Sequence, residues 1–188
     1  MAIKLLWIDV ETTGLDPKVH EIIQLAGLFE IPGGVKEEFN YRIRPTKWKD
    51  ISEEALKINR ISMENLRSFP PASLAYHSFL KMLLRWTSVY NPYEKVILCG
   101  QNVNFDYGFM KSFFKANGND EWSSYVMHGK LELMTLAVLH ELKIGDRVFQ
   151  SHSLSSICEY LGVDINGAHD AMVDIKATRE CIKRLLKW

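Results

Sequence analysis

The sequence of 188 residues predicts one α/β domain, residues 1–188, built on a mixed β-sheet. Three observations lead to this prediction. Residues 3–43 contain three consecutive apolar or half-apolar runs of strand length, joined by turns. A short, wholly apolar run at residues 96–100 is typical of a strand buried on both faces. Helical patterns precede and follow this run, which places helices against the sheet.

The first three strands are bounded by residues that favour turns. We predict them at residues 3–10, 22–31 and about 35–43. A connection rich in Thr, Gly, Asp and Pro follows the first strand, and a Pro-Gly-Gly turn joins the second to the third. The sheet is therefore expected to begin as an antiparallel meander, with the first strand in its interior.

The helices are recognised from their N-caps and apolar spacing. Ser52 and Ser62 each suit the start of a short helix, and Ser153 the start of a helix that ends near residue 161. Longer helices are predicted over residues 71–86, 104–116, 131–142 and 169–188.

The composition is that of an ordinary soluble protein, with 47% hydrophobic and 24% charged residues. Lys and Arg total 23, and Asp and Glu also total 23. Proteins that bind nucleic acid non-specifically are usually basic, so any such binding here is expected to be local. Three cysteines without paired spacing argue against a disulfide framework or a zinc site. With no signal peptide or membrane span in the sequence, we expect a cytoplasmic protein without a membrane partner.

The first candidate motif lies at the end of the first strand. Residues two apart in a strand point to the same face, so Asp9 and Glu11 are expected side by side. Two like charges 4 Å apart repel by about 4 kcal/mol at an effective dielectric of 20. Divalent metal ions commonly relieve such repulsion. Two solvated surface acids are the alternative, because this pair also arises by chance.

The second motif follows the buried strand at 96–99. Asp106 falls in the first turn of the next helix, after a loop that contains Asn102. Ligands of α/β proteins bind at the carboxyl ends of strands. A carboxylate that only caps the helix is the alternative interpretation.

The third motif contains His169 at the start of the last helix and Asp174 inside it, among apolar or small neighbours. A carboxylate near the buried side of a helix requires a partner. The alternatives are a solvated histidine and an ion pair between Asp174 and either Lys176 or Arg179.

In this order, Asp-x-Glu, Asn-x-x-x-Asp and His-x-x-x-x-Asp resemble the motifs of the DEDDh superfamily of 3′→5′ exonucleases. Residues 51–66 are similar to the region between the first two motifs in the proofreading branch, which includes the epsilon subunit of bacterial DNA polymerase III. The resemblance covers about residues 3–186. It implies a ribonuclease H-like fold with a mixed five-stranded sheet flanked by helices.

The resemblance also implies an activity, in which the protein uses metal ions to release 5′-mononucleotides from the 3′ ends of single-stranded or frayed DNA. It further implies a DNA polymerase subunit as the partner in proofreading. It implies that Asp9 bridges two divalent ions, Mg²⁺ or Mn²⁺, that Glu11 and Asp174 hold the first, and that Asp106 holds the second. Neutral His169 is then the general base.

Substrate binding is assigned by the same resemblance to residues near the motifs. Backbone N–H groups after the first strand are expected to hold the terminal nucleotide, and apolar side chains its base. The set is Thr12, Thr13, Gly14, Leu15, Ile61, Asn102 and Phe105. Core packing is the stronger alternative for Phe105. Gln101 and Asn59 stand where many relatives have histidine, which leaves recognition of the substrate end open.

Two other functions remain open at this point. One is an exoribonuclease that resembles oligoribonuclease or ribonuclease T and acts on RNA 3′ ends. A contact to the 2′-hydroxyl group distinguishes RNA from DNA, and the sequence does not reveal it. The other is a catalytically silent nucleic-acid-binding relative. Loss of a carboxylate or of the histidine would favour it, but all five residues are present.

Overall fold

The computed structural model describes residues 3–91, 93–165 and 170–187. Its strands are β1 (Leu5–Thr12), β2 (Ile22–Ile31), β3 (Gly34–Arg42), β4 (Ile97–Gly100) and β5 (Leu131–Glu132). They form one sheet in the order β3-β2-β1-β4-β5. β2 is antiparallel to β1 and β3, whereas β4 is parallel to β1 and β5. The prediction of a mixed five-stranded sheet with β1 in its interior is therefore confirmed.

The helices in the described part of the chain are α1 (Glu53–Asn59), α2 (Met63–Ser68), α3 (Ala72–Trp86), α4 (Val103–Ala116), α5 (Trp122–Tyr125), α6 (Leu133–Ile144), α7 (Leu154–Leu161) and α8 (Ala171–Leu186), with a 3-10 helix at Trp48–Asp50. Ser52, Ser62 and Ser153 accept N-cap hydrogen bonds, as predicted. None of the helices described is long and apolar enough to cross a membrane.

The structure corrects three predicted elements. The helix predicted from residue 131 begins at Leu133, because β5 precedes it and pairs with the end of β4. Helix α5 has no predicted counterpart, since four residues are too few to show a helical period. The last helix, predicted from His169, begins at Ala171 and has Asp170 as its N-cap. Residues 166–169 lie outside the described part of the chain.

Each face of the sheet has its own hydrophobic core, and β1 contributes to both. The side chains of Leu6, Ile8 and Val10 enter the core that includes α3 and α4. Leu5 and Trp7 enter the core that includes α6, α7 and α8. Asp9 and Glu11 continue this second row, because side chains alternate along a strand. Both carboxylates therefore leave the end of β1 on the side where α8 packs.

Candidate active site

Three carboxylates converge at the carboxyl end of β1. Oxygen atoms of Asp9, Glu11 and Asp174 all lie within 4.8 Å of one another. The first two belong to β1, and the third lies in the first turn of α8. An all-oxygen donor set fits a hard divalent cation such as Mg²⁺ or Mn²⁺. The structure thus joins the first and third sequence motifs in one cluster.

Asp106 approaches this cluster from α4. Its side chain is buried, and its Oδ1 accepts a hydrogen bond of 3.0 Å from the backbone N–H of Val10. Burial, followed by the negative charge of neighbouring Asp106, raises the pKa of Asp9 well above its ordinary value. The second motif therefore also lies beside the first.

Glu11 and Asp106 hold their protons more tightly than isolated carboxyl groups do. Burial, with the charges of Asp174 and Asp170, raises the pKa of Glu11 from 4.5 to about 7. Burial raises the pKa of Asp106 from 3.8 to about 8, although the bond from Val10 opposes this shift. A bound divalent cation relieves repulsion of this kind. Electrostatics and geometry therefore both fit a metal site.

His169 lies outside the described residues, so its place in the site stays a prediction. The next residue, Asp170, caps α8, and its Oδ1 accepts a hydrogen bond of 3.0 Å from the N–H of Met172. Its Oδ2 lies 3.2 Å from Nη2 of Arg42 and 3.4 Å from Nε2 of Gln24. Strands β2 and β3 thus hold the start of α8 through Asp170.

Within the described ranges, Lys176 and Arg179 both pair with glutamates of the sheet and not with Asp174. Lys176 lies 3.1 Å from Glu38 of β3. Arg179 pairs with Glu30 of β2, with a distance of 2.8 Å between Nε and Oε2. Lys176 and Arg179 therefore both bind the sheet, and the carboxylate of Asp174 lies with those of β1.

The turn after β1 is held by its own hydrogen bonds. The N–H of Thr13 donates to the carbonyl of Glu21 at 2.9 Å, and Thr13 Oγ1 accepts from the N–H of Glu21 at 2.9 Å. Thr12 Oγ1 donates to the carbonyl of Gly14 at 2.7 Å. A Cβ at Gly14 would lie 2.2 Å from the ring of His20, so a larger residue there would require the His20 side chain to move. The Thr13 N–H is therefore occupied within the turn.

The three apolar residues assigned to the terminal base differ in exposure. Leu15 is 82% exposed, so its side chain offers apolar surface beside the turn. Ile61 is only 8% exposed and packs in a small core with its neighbours. Phe105 is partly buried, with its ring centroid 4.7 Å from that of Phe109. Core packing accounts for Ile61 and Phe105 more fully than for Leu15.

Sequence analysis missed residues that hold the motifs in place. Glu132 accepts hydrogen bonds from the N–H groups of Asn102 (2.9 Å) and Val103 (2.7 Å), which anchors the start of α4. Asn59 Nδ2 donates to the carbonyl of Thr12 at 2.9 Å, which attaches α1 to the end of β1. The only signal for Asn59 was its departure from the family pattern, and Glu132 was assigned to a helix.

The chain also matches a known family. The family model RNase_T, described as exonuclease, matches residues 6–181. The DNA polymerase III PolC-type protein of Thermotoga maritima is 30% identical over 181 residues, and that of Pediococcus pentosaceus is 25% identical over 179. The matches cover 96% and 95% of this chain but only 12% and 11% of those relatives. The chain thus spans a small part of the curated relatives that it matches.

Solved structures show the same fold. Exonuclease I of E. coli in complex with a dT13 oligonucleotide has a TM-score of 0.76 at 23% identity, over 98% of this chain and 41% of that chain. Cell-death related nuclease 4 has a TM-score of 0.75 at 16% identity, over 98% of this chain and 64% of that chain. Both likenesses support the fold class predicted from the sequence.

Proposed function

Because the chain belongs to the exonuclease family, whose model spans residues 6–181, we propose that it is a metal-dependent 3′→5′ exonuclease. Its proposed substrates are single-stranded or frayed DNA ends, and its products are 5′-mononucleotides. The observation that carries the proposal is the convergence of the Asp9, Glu11 and Asp174 carboxylates within 4.8 Å. DNA is favoured because relatives matching most of this chain are DNA polymerases of the PolC type.

The four acids are proposed to divide two divalent ions between them. In this proposal Asp9, Glu11 and Asp174 would hold the first ion, and Asp9 and Asp106 would hold the second. Such ions, Mg²⁺ or Mn²⁺, activate a water molecule and stabilise charge on the phosphate oxygens when bound. The protein holds the acids in place: β1 sets the spacing of Asp9 and Glu11, and the Val10 N–H orients Asp106.

The general base is proposed to be His169, acting as a neutral imidazole that accepts a proton from the attacking water. Its ordinary pKa of about 6.5 suits this task near neutral pH. Support comes from the next residue, Asp170, which lies close enough to Glu11 for its charge to raise the pKa of Glu11. The start of α8 is therefore beside the acid cluster.

The terminal nucleotide is proposed to bind beside the turn after β1. Leu15 is proposed as the main apolar contact for the base, because its side chain is the most exposed of the apolar candidates. The full proposed set remains Thr12, Thr13, Gly14, Leu15, Ile61, Asn102 and Phe105. A DNA polymerase subunit is the proposed partner, since the matching segment of the PolC-type relatives is part of a polymerase chain.

The test uses 5′-labelled single-stranded DNA and RNA of one sequence, incubated with Mg²⁺, Mn²⁺ or EDTA. We expect a ladder that shortens from the 3′ end of the DNA, and no ladder in EDTA or with Asp9→Asn. Asp50→Asn is the matched control, because Asp50 is an exposed acid on the 3-10 helix, and it should leave the ladder unchanged. Faster shortening of RNA would move the assignment to an exoribonuclease. Binding without degradation would overturn the proposal.

His169→Ala tests the general base separately. We expect it to lose most of the nuclease activity while it retains metal binding, measured by titration of Mn²⁺. Full activity of this variant would contradict the role of His169 and leave the metal site standing.

A further inference from the structure

We propose that a cleft formed by Arg44, Trp48 and Arg67 binds the sugar–phosphate backbone of the substrate strand, upstream of its 3′ nucleotide. The inference rests on the proposed function, because its ligand is the part of a single-stranded nucleic acid that does not reach the acids. It assigns a second contact region to the protein, outside the acid cluster.

The cleft has the composition of an anion site. Its volume is about 450 Å³, and Arg44, Trp48 and Arg67 line it. Both arginines are exposed, and the guanidinium of Arg67 lies over the indole ring of Trp48, 6.0 Å from the ring centroid. A cation over an indole face is attracted by the ring and held in place by it.

Neither arginine forms an ion pair with a carboxylate in the described part of the chain. In the described ranges, no carboxylate oxygen lies within 4.0 Å of a side-chain nitrogen of Arg44 or Arg67. Other arginines do have such partners: Arg85 pairs with Glu37, and Arg184 with Glu180. The cleft therefore places two arginines without an ion-pair partner close together, on a protein whose net charge is 0.

Residues on neighbouring strands connect the cleft with the acid cluster. Across the sheet, Glu11 lies opposite Gln24, and Gln24 lies opposite Arg42. The charge of Arg42 reaches Glu11, since it lowers the pKa of that group against the effects of burial and of the neighbouring acids. Arg44 follows two residues after Arg42, about 7 Å along an extended chain. The chain thus leads from Arg42, whose charge reaches the acids, to Arg44 in the cleft.

The cleft is also joined firmly to the first motif. The N–H of Ser52 donates to the carbonyl of Thr13 at 2.8 Å, and Asn59 donates to Thr12. Trp48 packs against the small core formed by Ile23, Ile61 and Leu66. The distance between the cleft and the turn after β1 is therefore set by the folded structure.

The ligand follows from this chemistry. Guanidinium groups bind phosphate oxygens through paired hydrogen bonds. A single strand presents phosphates at regular intervals, so two arginines next to a site for the 3′ end suit its continuation. Because phosphates are common to DNA and RNA, the cleft should make long strands bind more tightly than short ones. It should not distinguish DNA from RNA.

The test compares the double variant Arg44→Gln, Arg67→Gln with the control Lys143→Gln. Lys143 is exposed at the end of α6, and the control removes one positive charge away from the cleft. Binding of a fluorescent oligothymidylate of about 12 nucleotides is measured in EDTA over a range of salt concentrations. Each phosphate contact on a single strand contributes about 0.7 to the slope of log affinity against log salt. We expect the double variant to lower this slope by about 1.4 and the control to leave it unchanged.

A kinetic measurement in Mg²⁺ separates the cleft from the acids. The double variant should raise KM for the long strand by about tenfold, with an unchanged kcat and with KM for a thymidine trinucleotide within about twofold of the wild-type value. An unchanged salt slope, or an equal effect on both lengths, would overturn the cleft. If no substrate is degraded by any variant, the proposed function fails, and the salt slope still decides whether the cleft binds a strand.

Discussion

The carboxylate of Asp106 and the backbone N–H of Val10 are joined by a hydrogen bond of 3.0 Å that connects α4 to β1. Val10 lies between the two acids of the first motif, on the opposite face of the strand. The bond therefore fixes the distance between Asp106 and those acids. One carboxylate thus serves both the electrostatics of the site and the packing of α4 on the sheet.

Asp106→Asn separates these two roles. The amide oxygen can still accept the hydrogen bond from Val10, and the charge that raises the pKa of Asp9 is removed. We expect the thermal stability of the metal-free protein to be unchanged or higher, because repulsion among buried acids is relieved. Nuclease activity should fall by at least about 100-fold, as the variant loses a proposed metal ligand. Thermal denaturation in EDTA and the labelled-strand assay measure both effects.

Asp106→Leu serves as the comparison, because its side chain is similar in size but accepts no hydrogen bond. It leaves the Val10 N–H buried without this acceptor, which costs about 1–3 kcal/mol. If the Asn and Leu variants had equal stability, the bond would have no measurable structural role.

The raised pKa of Glu11 predicts how stability depends on pH without metal. Its value is about 7 in the folded protein, against an ordinary 4.5, so the folded state binds this proton more tightly. Below pH 4.5 Glu11 is protonated in both states, and the raised pKa does not change the free energy of unfolding. As pH rises to about 7, ionisation of Glu11 destabilises the folded state by about 3 kcal/mol. The free energy of unfolding in EDTA should therefore fall between pH 5 and pH 8. Urea denaturation at several pH values measures it.

Glu11→Gln removes one titrating group and should make this decrease smaller, while Asp9 and Asp106, whose pKa values are also raised, still contribute to it. Saturating Mg²⁺ should raise the stability of the wild type at pH 8, because the ion binds only the folded state. If the free energy of unfolding in EDTA instead increased from pH 5 to pH 8, ionisation of Glu11 would not destabilise the folded protein.

Much of the fold could be predicted because the signals for it are local. The strands β1 to β4 show apolar runs or alternation with turn residues at their ends, and Ser52, Ser62 and Ser153 are standard N-caps. β5 could not be predicted, since a strand of two residues has no period and only its pairing with β4 defines it. Its residues precede α6 directly and were assigned to that helix.

The site also combines features that have a local signal in the sequence with features that do not. The neighbouring positions of Asp9 and Glu11 follow from the period of a strand, whereas the convergence of Asp106 and Asp174 on them was implied by family resemblance. The contact between Arg42 and Asp170 joins residues 128 positions apart and leaves no local pattern in the sequence. The same holds for the bond from Asn59 to Thr12, which depends on how the segment after β3 folds back.

The ion pair between Arg179 and Glu30 is predicted to hold α8 against the sheet. Glu30 is 4% exposed and also accepts a hydrogen bond of 2.8 Å from Trp7 Nε1. Arg179→Ala leaves a buried carboxylate without its main partner, which costs about 3–5 kcal/mol. Lys176→Ala, on the same helix, removes an exposed pair with Glu38 and should cost less than about 1 kcal/mol. Urea denaturation distinguishes these values, and equal losses would contradict the structural role of Arg179.

The last prediction concerns Asp170 as the N-cap of α8. Its Oδ1 accepts the bond from the N–H of Met172, and Asp174 lies in the same first turn. Asp170→Asn keeps this acceptor and should change stability by less than about 0.5 kcal/mol, whereas Asp170→Ala should cost about 1 kcal/mol. Fraying of the first turn displaces the Asp174 carboxylate, so the Ala variant should also lose more nuclease activity than the Asn variant. Thermal denaturation and the labelled-strand assay test both effects. Equal losses in the two variants would show that the charge of Asp170, through Arg42, matters more than the cap.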